Sequence, residues 1–206
     1  MKSTRRVLPR TYFNRPTLTV ARSLIGKYLV RAIEGRILAG KIVEVEAYVG
    51  PEDKACHASK GRTRRTDVMF GPGGVAYVYL IYGMYHCLNV VTEREEFPSA
   101  VLIRAIEIDG ELIDGPGRLC RALQIDRNLN RVDLTTGESI WFEDRGVLVK
   151  KADVRAHPRI GVEYAGEWAQ KPWRFRLCRV APSTRTGRTK KTGGAGLIRH
   201  PRIGFR

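Results

Sequence analysis

Between Glu44 and Asn89 the chain concentrates the neighbouring carboxylates Glu44 and Glu46, the histidine His57, a run of arginines and five tyrosines. Strand alternation over Arg36 to Tyr48 puts Glu44, Glu46 and Tyr48 on one face and Val43, Val45 and Ala47 on the other. Two neighbouring carboxylates suit three chemistries: a glycosidase pair, divalent-metal ligands of a nuclease together with Asp53 and His57, or one general base with a structural partner. A glutamate pair with no such role lines a solvated strand face. The tyrosines pose a similar choice. Tyr77 and Tyr79 alternate onto one face, Tyr82 sits at a glycine-containing corner and Tyr85 lies just beyond. Strands favour tyrosine, so an aromatic core accounts for them. Beside a strongly basic composition, a second account is stacking on a nucleic-acid base with a corner side chain entering the duplex. His57 is either a hydrogen-bonded structural histidine or, with Tyr48, one half of a sandwich for a planar ring.

Composition narrows the partner. The chain has 206 residues, 43% of them hydrophobic, which is enough for one domain with a full core. With 37 Lys+Arg against 21 Asp+Glu the net charge is +16, which favours polyanions or anionic membranes. Nucleic acid is the expected partner, because no apolar run is long enough to span a bilayer and no basic amphipathic helix stands out. MKSTRRVLPR lacks the apolar core of a signal peptide. Cys56, Cys87, Cys120 and Cys178 form no CxxC pair, so neither zinc nor a disulfide framework is indicated, and a reducing cytoplasm is the expected compartment.

The elements that would position these residues read as follows. Residues 1–16 form a basic lead-in; a helix starts at Thr17, which can cap it, and ends at Gly26. Strands follow over Lys27 to Ala32 and Arg36 to Tyr48, then a polar loop from Glu52 to Phe70 carrying Arg62, Arg64 and Arg65, suited to lie along phosphates. Val75 to Ile81 and Tyr85 to Thr92 make a strand pair about Tyr82-Gly83-Met84, and Ala100 to Ile106 a further strand. Gly115-Pro116-Gly117 precedes a short helix from Arg118 to Ile125, where exposed N–H groups suit a phosphate. Such glycines are equally ordinary turn punctuation. Ile140 to Val149 reads as a strand, and Gly161 to Arg176 as a tryptophan-containing loop and final strand. Residues 179–206 are basic and glycine-rich, a tail outside the 17–178 domain. His157-Pro158-Arg159-Ile160-Gly161 recurs as His200-Pro201-Arg202-Ile203-Gly204, too short for a repeat fold and without an assigned role.

The stretches VEVEAYVGPEDKACH, MFGPGGVAYVYLIYGMYHCLNVV, VLIRAIE, GPGRLCRAL and AGEWAQKPWRF, in consistent order from about Leu18 to Phe175, resemble the alkyladenine (3-methyladenine) DNA glycosylase family. The resemblance implies an α+β fold, a single mixed domain on a curved antiparallel β-sheet flanked by helices. It implies a monomeric enzyme that flips alkylated or deaminated purines out of double-stranded DNA and leaves an abasic site. By the same resemblance Glu46 falls on the base that activates the attacking water and Arg104 on the arginine beside it. Tyr48, His57 and Tyr79 fall on the stacking pocket, Asn89 on a pocket wall that disfavours the amine of guanine, and Tyr82 on the side chain that fills the gap in the duplex. Arg62, Arg64, Arg65, Gly117 and Arg118 are expected at the DNA backbone. Neither a metal nor a cofactor is implied. Glu44 matches the motif without a role to transfer, and the alternative function is a non-catalytic protein that binds damaged nucleic acid on the same fold.

Overall fold

The computed structural model describes residues 5–178. The recurrence of the pentapeptide at 200–204 and the expected tail at 179–206 lie outside the described residues.

Among the described residues ten strands form one antiparallel sheet. They are β1 (Arg6–Val7), β2 (Tyr28–Ile33), β3 (Arg36–Val49), β4 (Ala76–Ile81), β5 (Tyr85–Val91), β6 (Ser99–Ile108), β7 (Glu111–Asp114), β8 (Ile140–Asp144), β9 (Val154–His157) and β10 (Arg174–Leu177). The order along the main path is β1-β8-β2-β3-β6-β5-β4, with β7 against β6, and with β10 between β3 and β9. Three short α-helices accompany it among the described residues: α1 (Arg10–Phe13), α2 (Thr17–Leu24) and α3 (Pro116–Ala122). This is the expected α+β domain.

β3 is the axis of the molecule. On one edge it pairs with β6; on the other it pairs with β2 through Arg36 to Lys41 and then with β10 through Glu44 to Glu46. Its register against β6 shifts on both sides of Glu44, and such irregularities bend a strand and re-aim its side chains. Gly40 is required just before the bend, since a Cβ there would lie 2.7 Å from Ile106 Cδ1. Phe13, Val20, Ala21 and Leu24 from α1 and α2, with Leu119 of α3 and Leu123 just beyond it, pack with Val45, Ile103, Phe142 and Phe175 of the sheet in one core with almost no solvent exposure. Each fully buried side chain of this size stabilises the fold by roughly 1.5–3 kcal/mol.

Several sequence-based expectations are corrected. The basic lead-in supplies β1, and its Leu8 and Phe13 enter the core. Thr17 is not the cap of α2: it is the first helical residue, and the Glu93 carboxylate accepts from its N–H at 2.7 Å and its hydroxyl at 2.9 Å. A side chain 76 positions away thus satisfies the helix start. The polar loop holds two 3-10 helices, His57–Lys60 and Asp67–Phe70, whose Ala58, Val68 and Met69 join Cys56 and Tyr77 in a second small core. α3 begins two residues earlier than expected, at Pro116, and ends at Ala122; β8 stops at Asp144.

Candidate active site

A cleft of about 1020 Å³ opens between β3, the β4–β5 hairpin, the N-terminal end of α3 and the segment 160–164. Glu46, Tyr48, His57, Arg65, Tyr79, Tyr82, Asn89, Arg104, Gly117 and Arg118 all line it, so those expected site residues converge. Arg62 and Arg64 do not. Arg62 is held outside by Glu96, at 3.0 Å and 3.1 Å, and by Asp67 at 3.2 Å. Arg64 lines a neighbouring groove shared with Arg65, Arg127 and Arg131.

The two carboxylates are not a solvated face: Glu44 is 1% exposed, and Glu46, at the floor of the cleft, 0%. The bend in β3 buries both, and the neighbouring strands supply what buried anions require. Glu46 Oε1 accepts the Ile160 N–H at 2.9 Å and lies 3.5 Å from Arg104 Nη1, while Oε2 accepts the Tyr48 hydroxyl at 2.8 Å. Burial pushes the Glu46 carboxyl above its ordinary range; Arg104, the Ile160 N–H, the Tyr48 hydroxyl and Arg174 pull it back. Glu44 faces Arg174, Arg176 and Arg104 at 2.7, 3.3 and 3.6 Å. The nuclease arrangement fails on Asp53, which is fully buried and locked to Arg159 with a second oxygen contact of 2.8 Å.

The walls are aromatic. Tyr77 and Tyr79 sit 5.2 Å apart on one face of β4, and the His57 ring stands edge-on to Tyr79 at 4.7 Å. His57 Nδ1 shares a 2.9 Å hydrogen bond with the Tyr77 hydroxyl. Burial, Arg65 and Lys60 push the imidazole pKa down to about 4, so the ring is neutral at physiological pH. The Arg65 guanidinium lies over Tyr79 at 4.9 Å, and the Tyr48 ring is backed by Arg159 at 4.8 Å. Asn89 is 3% exposed and donates to the Tyr77 carbonyl at 3.0 Å, which fixes its amide against the cleft.

At the rim, Tyr82 is 80% exposed with φ of 53°, and Gly83 follows at 70°. A bulky residue in the left-handed region is strained, and this one projects its ring into solvent from a hairpin tip shared with Met84. Gly117 lies under the root of that hairpin: a Cβ there would come within 2.9 Å of the Tyr85 ring.

Sequence reasoning missed the 158–161 segment and Arg174. Arg159 is buried, bonded to Asp53, the Ala47 carbonyl and the Trp168 carbonyl, and it carries Ile160 to Glu46. The recurrence of His-Pro-Arg-Ile-Gly was the available signal, but a short repeat has no chemistry of its own.

The site is thus a buried carboxylate beneath an aromatic cleft, on an antiparallel sheet with a protruding hairpin. Residues 11–180 match the family model described as methylpurine-DNA glycosylase. A protein of Methanocella arvoryzae provisionally named 3-methyladenine DNA glycosylase is 55% identical over 185 residues, spanning 82% of this chain and 91% of that protein. Proteins of the same provisional name from Myxococcus xanthus and Legionella pneumophila (strain Corby) are 52% and 51% identical, each over 82% of this chain and over 88% and 93% of their own lengths. The chain belongs to the methylpurine-DNA glycosylase family of DNA-repair proteins.

Proposed function

We propose that the cleft receives a damaged purine flipped out of duplex DNA and that Glu46 activates the water that hydrolyses its N-glycosidic bond. The observation that carries this reading is the Glu46 carboxylate, wholly buried at the cleft floor yet ringed by Arg104, the Ile160 N–H and the Tyr48 hydroxyl. Glu46 takes a proton from water as the water oxygen bonds to the anomeric carbon, and the bonding pair of the broken C–N bond leaves with the purine. The sugar is cationic on the way, so a carboxylate assists both by proton abstraction and by opposing that charge. A carboxyl raised by burial sits nearer the working pH of a general base, and Arg104 favours its ionised form.

The neutral His57 and the Tyr48 and Tyr79 rings supply faces for the base, and an N-alkylated purine, cationic until it departs, gains cation–π attraction there. Asn89 presents a fixed amide that crowds the exocyclic amine of guanine. Tyr82 fills the space left in the duplex, and Arg64, Arg65 and Arg118 face the backbone of a single-chain complex. Flipping costs a few kcal/mol and least for a weakly paired lesion, so selectivity begins before the pocket.

The test is single-turnover base release, with EDTA present, from a duplex carrying one hypoxanthine or ethenoadenine and from N-methylated DNA. Wild type is expected to release the base; Glu46→Gln is expected to bind and not release it. Tight lesion binding by both proteins without release overturns the hydrolytic reading and leaves a binding protein.

A further inference from the structure

Glu44 takes no part in the proposed attack, yet it is 1% exposed and faces three guanidinium groups. Two of them lead to Glu46. Arg104 places Nε 3.6 Å from Glu44 Oε1 and Nη1 3.5 Å from Glu46 Oε1, and its buried Nε has no hydrogen-bond partner, so charge rather than a directed bond fixes its position. Arg174 donates Nη1 to Glu44 Oε1 at 2.7 Å and Nε to the Pro158 carbonyl at 2.8 Å. Two residues later the Ile160 N–H donates to Glu46 Oε1 at 2.9 Å. Both paths end on the same oxygen of Glu46.

We propose that Glu44 is a positioning residue for the reaction: its carboxylate holds Arg104 and Arg174 so that a guanidinium and the Ile160 N–H meet at Glu46 Oε1. The other oxygen, Oε2, has the Tyr48 hydroxyl as its partner and remains the one to receive the proton from water. The proposal rests on the reading of Glu46 as the base. Cross-strand register explains how the device is built, since Arg174 lies opposite Glu46 and Arg176 opposite Glu44, and Arg174 reaches diagonally to the second carboxylate.

The test compares wild type, Glu44→Gln, Arg174→Met, the double variant and Glu46→Gln in single-turnover release of hypoxanthine from duplex DNA between about pH 5 and 9. Lesion-duplex affinity and thermal unfolding are measured on the same proteins. The charged and polar groups that face Glu46 are Tyr48 on β3, Arg104 on β6, Arg174 on β10, the Cys87 thiol on β5 and the Ile160 N–H. Each single variant should bind lesion DNA within about threefold of wild type and release base about 10- to 100-fold more slowly. The acid limb should move to higher pH, because Glu46 loses partners that favour its ionised form. The double variant should be no slower than the slower single, since Glu44→Gln already cuts the path that Arg174→Met removes.

Glu44→Gln also removes a negative charge near Glu46, which alone moves the acid limb to lower pH. That direction of shift, a wild-type rate in Arg174→Met, or rates that multiply in the double variant each overturn the proposal. If Glu44→Gln does not fold, Arg174→Met decides it. Release by Glu46→Gln at the wild-type rate removes the base assignment itself, whatever Glu44 does.

Discussion

At the floor of the cleft Glu46 has no solvent exposure and touches its own strand, β6 and the 158–161 segment; at the rim Tyr82 is 80% exposed at the end of a two-stranded hairpin. The floor concentrates charge where water is scarce, so each contact there is strong and each missing partner is costly. The rim holds an aromatic ring with little packing and a strained backbone, which suits the entry into a duplex proposed for it. Under the proposed function, the groups that break the bond stand on strands and the group that probes the duplex stands on a turn, where a scaffold fixes the first and leaves the second room to adjust.

The largest expected effect breaks the floor. Arg159→Met leaves the fully buried Asp53 without its cation, and chemical denaturation should show a loss of about 3–5 kcal/mol. A loss under about 1 kcal/mol would mean that the pair does not hold the floor together. Next comes the joint between the regions: Gly117→Ala drives a methyl group into the Tyr85 ring and should cost about 1–3 kcal/mol, with a rim that binds lesion DNA more weakly. Unchanged stability and binding would show that the hairpin yields freely.

Tyr82→Gly sharpens the contrast from the other side. Relief of the left-handed strain should leave stability unchanged or raised by up to about 1 kcal/mol, while release of a well-paired lesion slows. A marked loss of stability would make the tip structural. The smallest effect concerns the wall. The His57 pKa, held down to about 4 by burial first and by Arg65 and Lys60 after it, lies below the ordinary value near 6.5. Its contribution to stability is therefore present above about pH 6.5 and is lost as pH falls towards 4. An NMR titration should find the ring neutral from about pH 8 down to 5; protonation near 6.5 would place it in solvent.

The strands β2 to β6 were legible because alternation and glycine corners are local signals, and the same signals put Tyr77 and Tyr79 on one face. Glu44 and Glu46 could be placed on one face but not buried by such reasoning, since an isolated glutamate pair reads as solvated. What buries them are Arg104, Ile160 and Arg174, whose proximity is a product of sheet order. β7 and β9 have four residues each and form through their partners, β6 and β10, rather than through their own pattern. The Glu52 to Phe70 stretch looked polar because its apolar residues follow the spacing of single 3-10 turns. Arg62 was legible as a basic residue of that loop, but its capture by Glu96 and Asp67 was not.

The contacts that complete the carboxylate span 114 residues from Glu46 to Ile160 and 130 from Glu44 to Arg174. Synthesis proceeds from the N-terminus, and contacts between distant parts of a chain close last. A growing chain that has finished β6 already owns Tyr48, His57, Tyr79 and Tyr82, whereas Ile160 and Arg174 have yet to be made. On the proposed mechanism, the order of assembly thus postpones base release until β10 has docked against β3, even when the aromatic walls have formed.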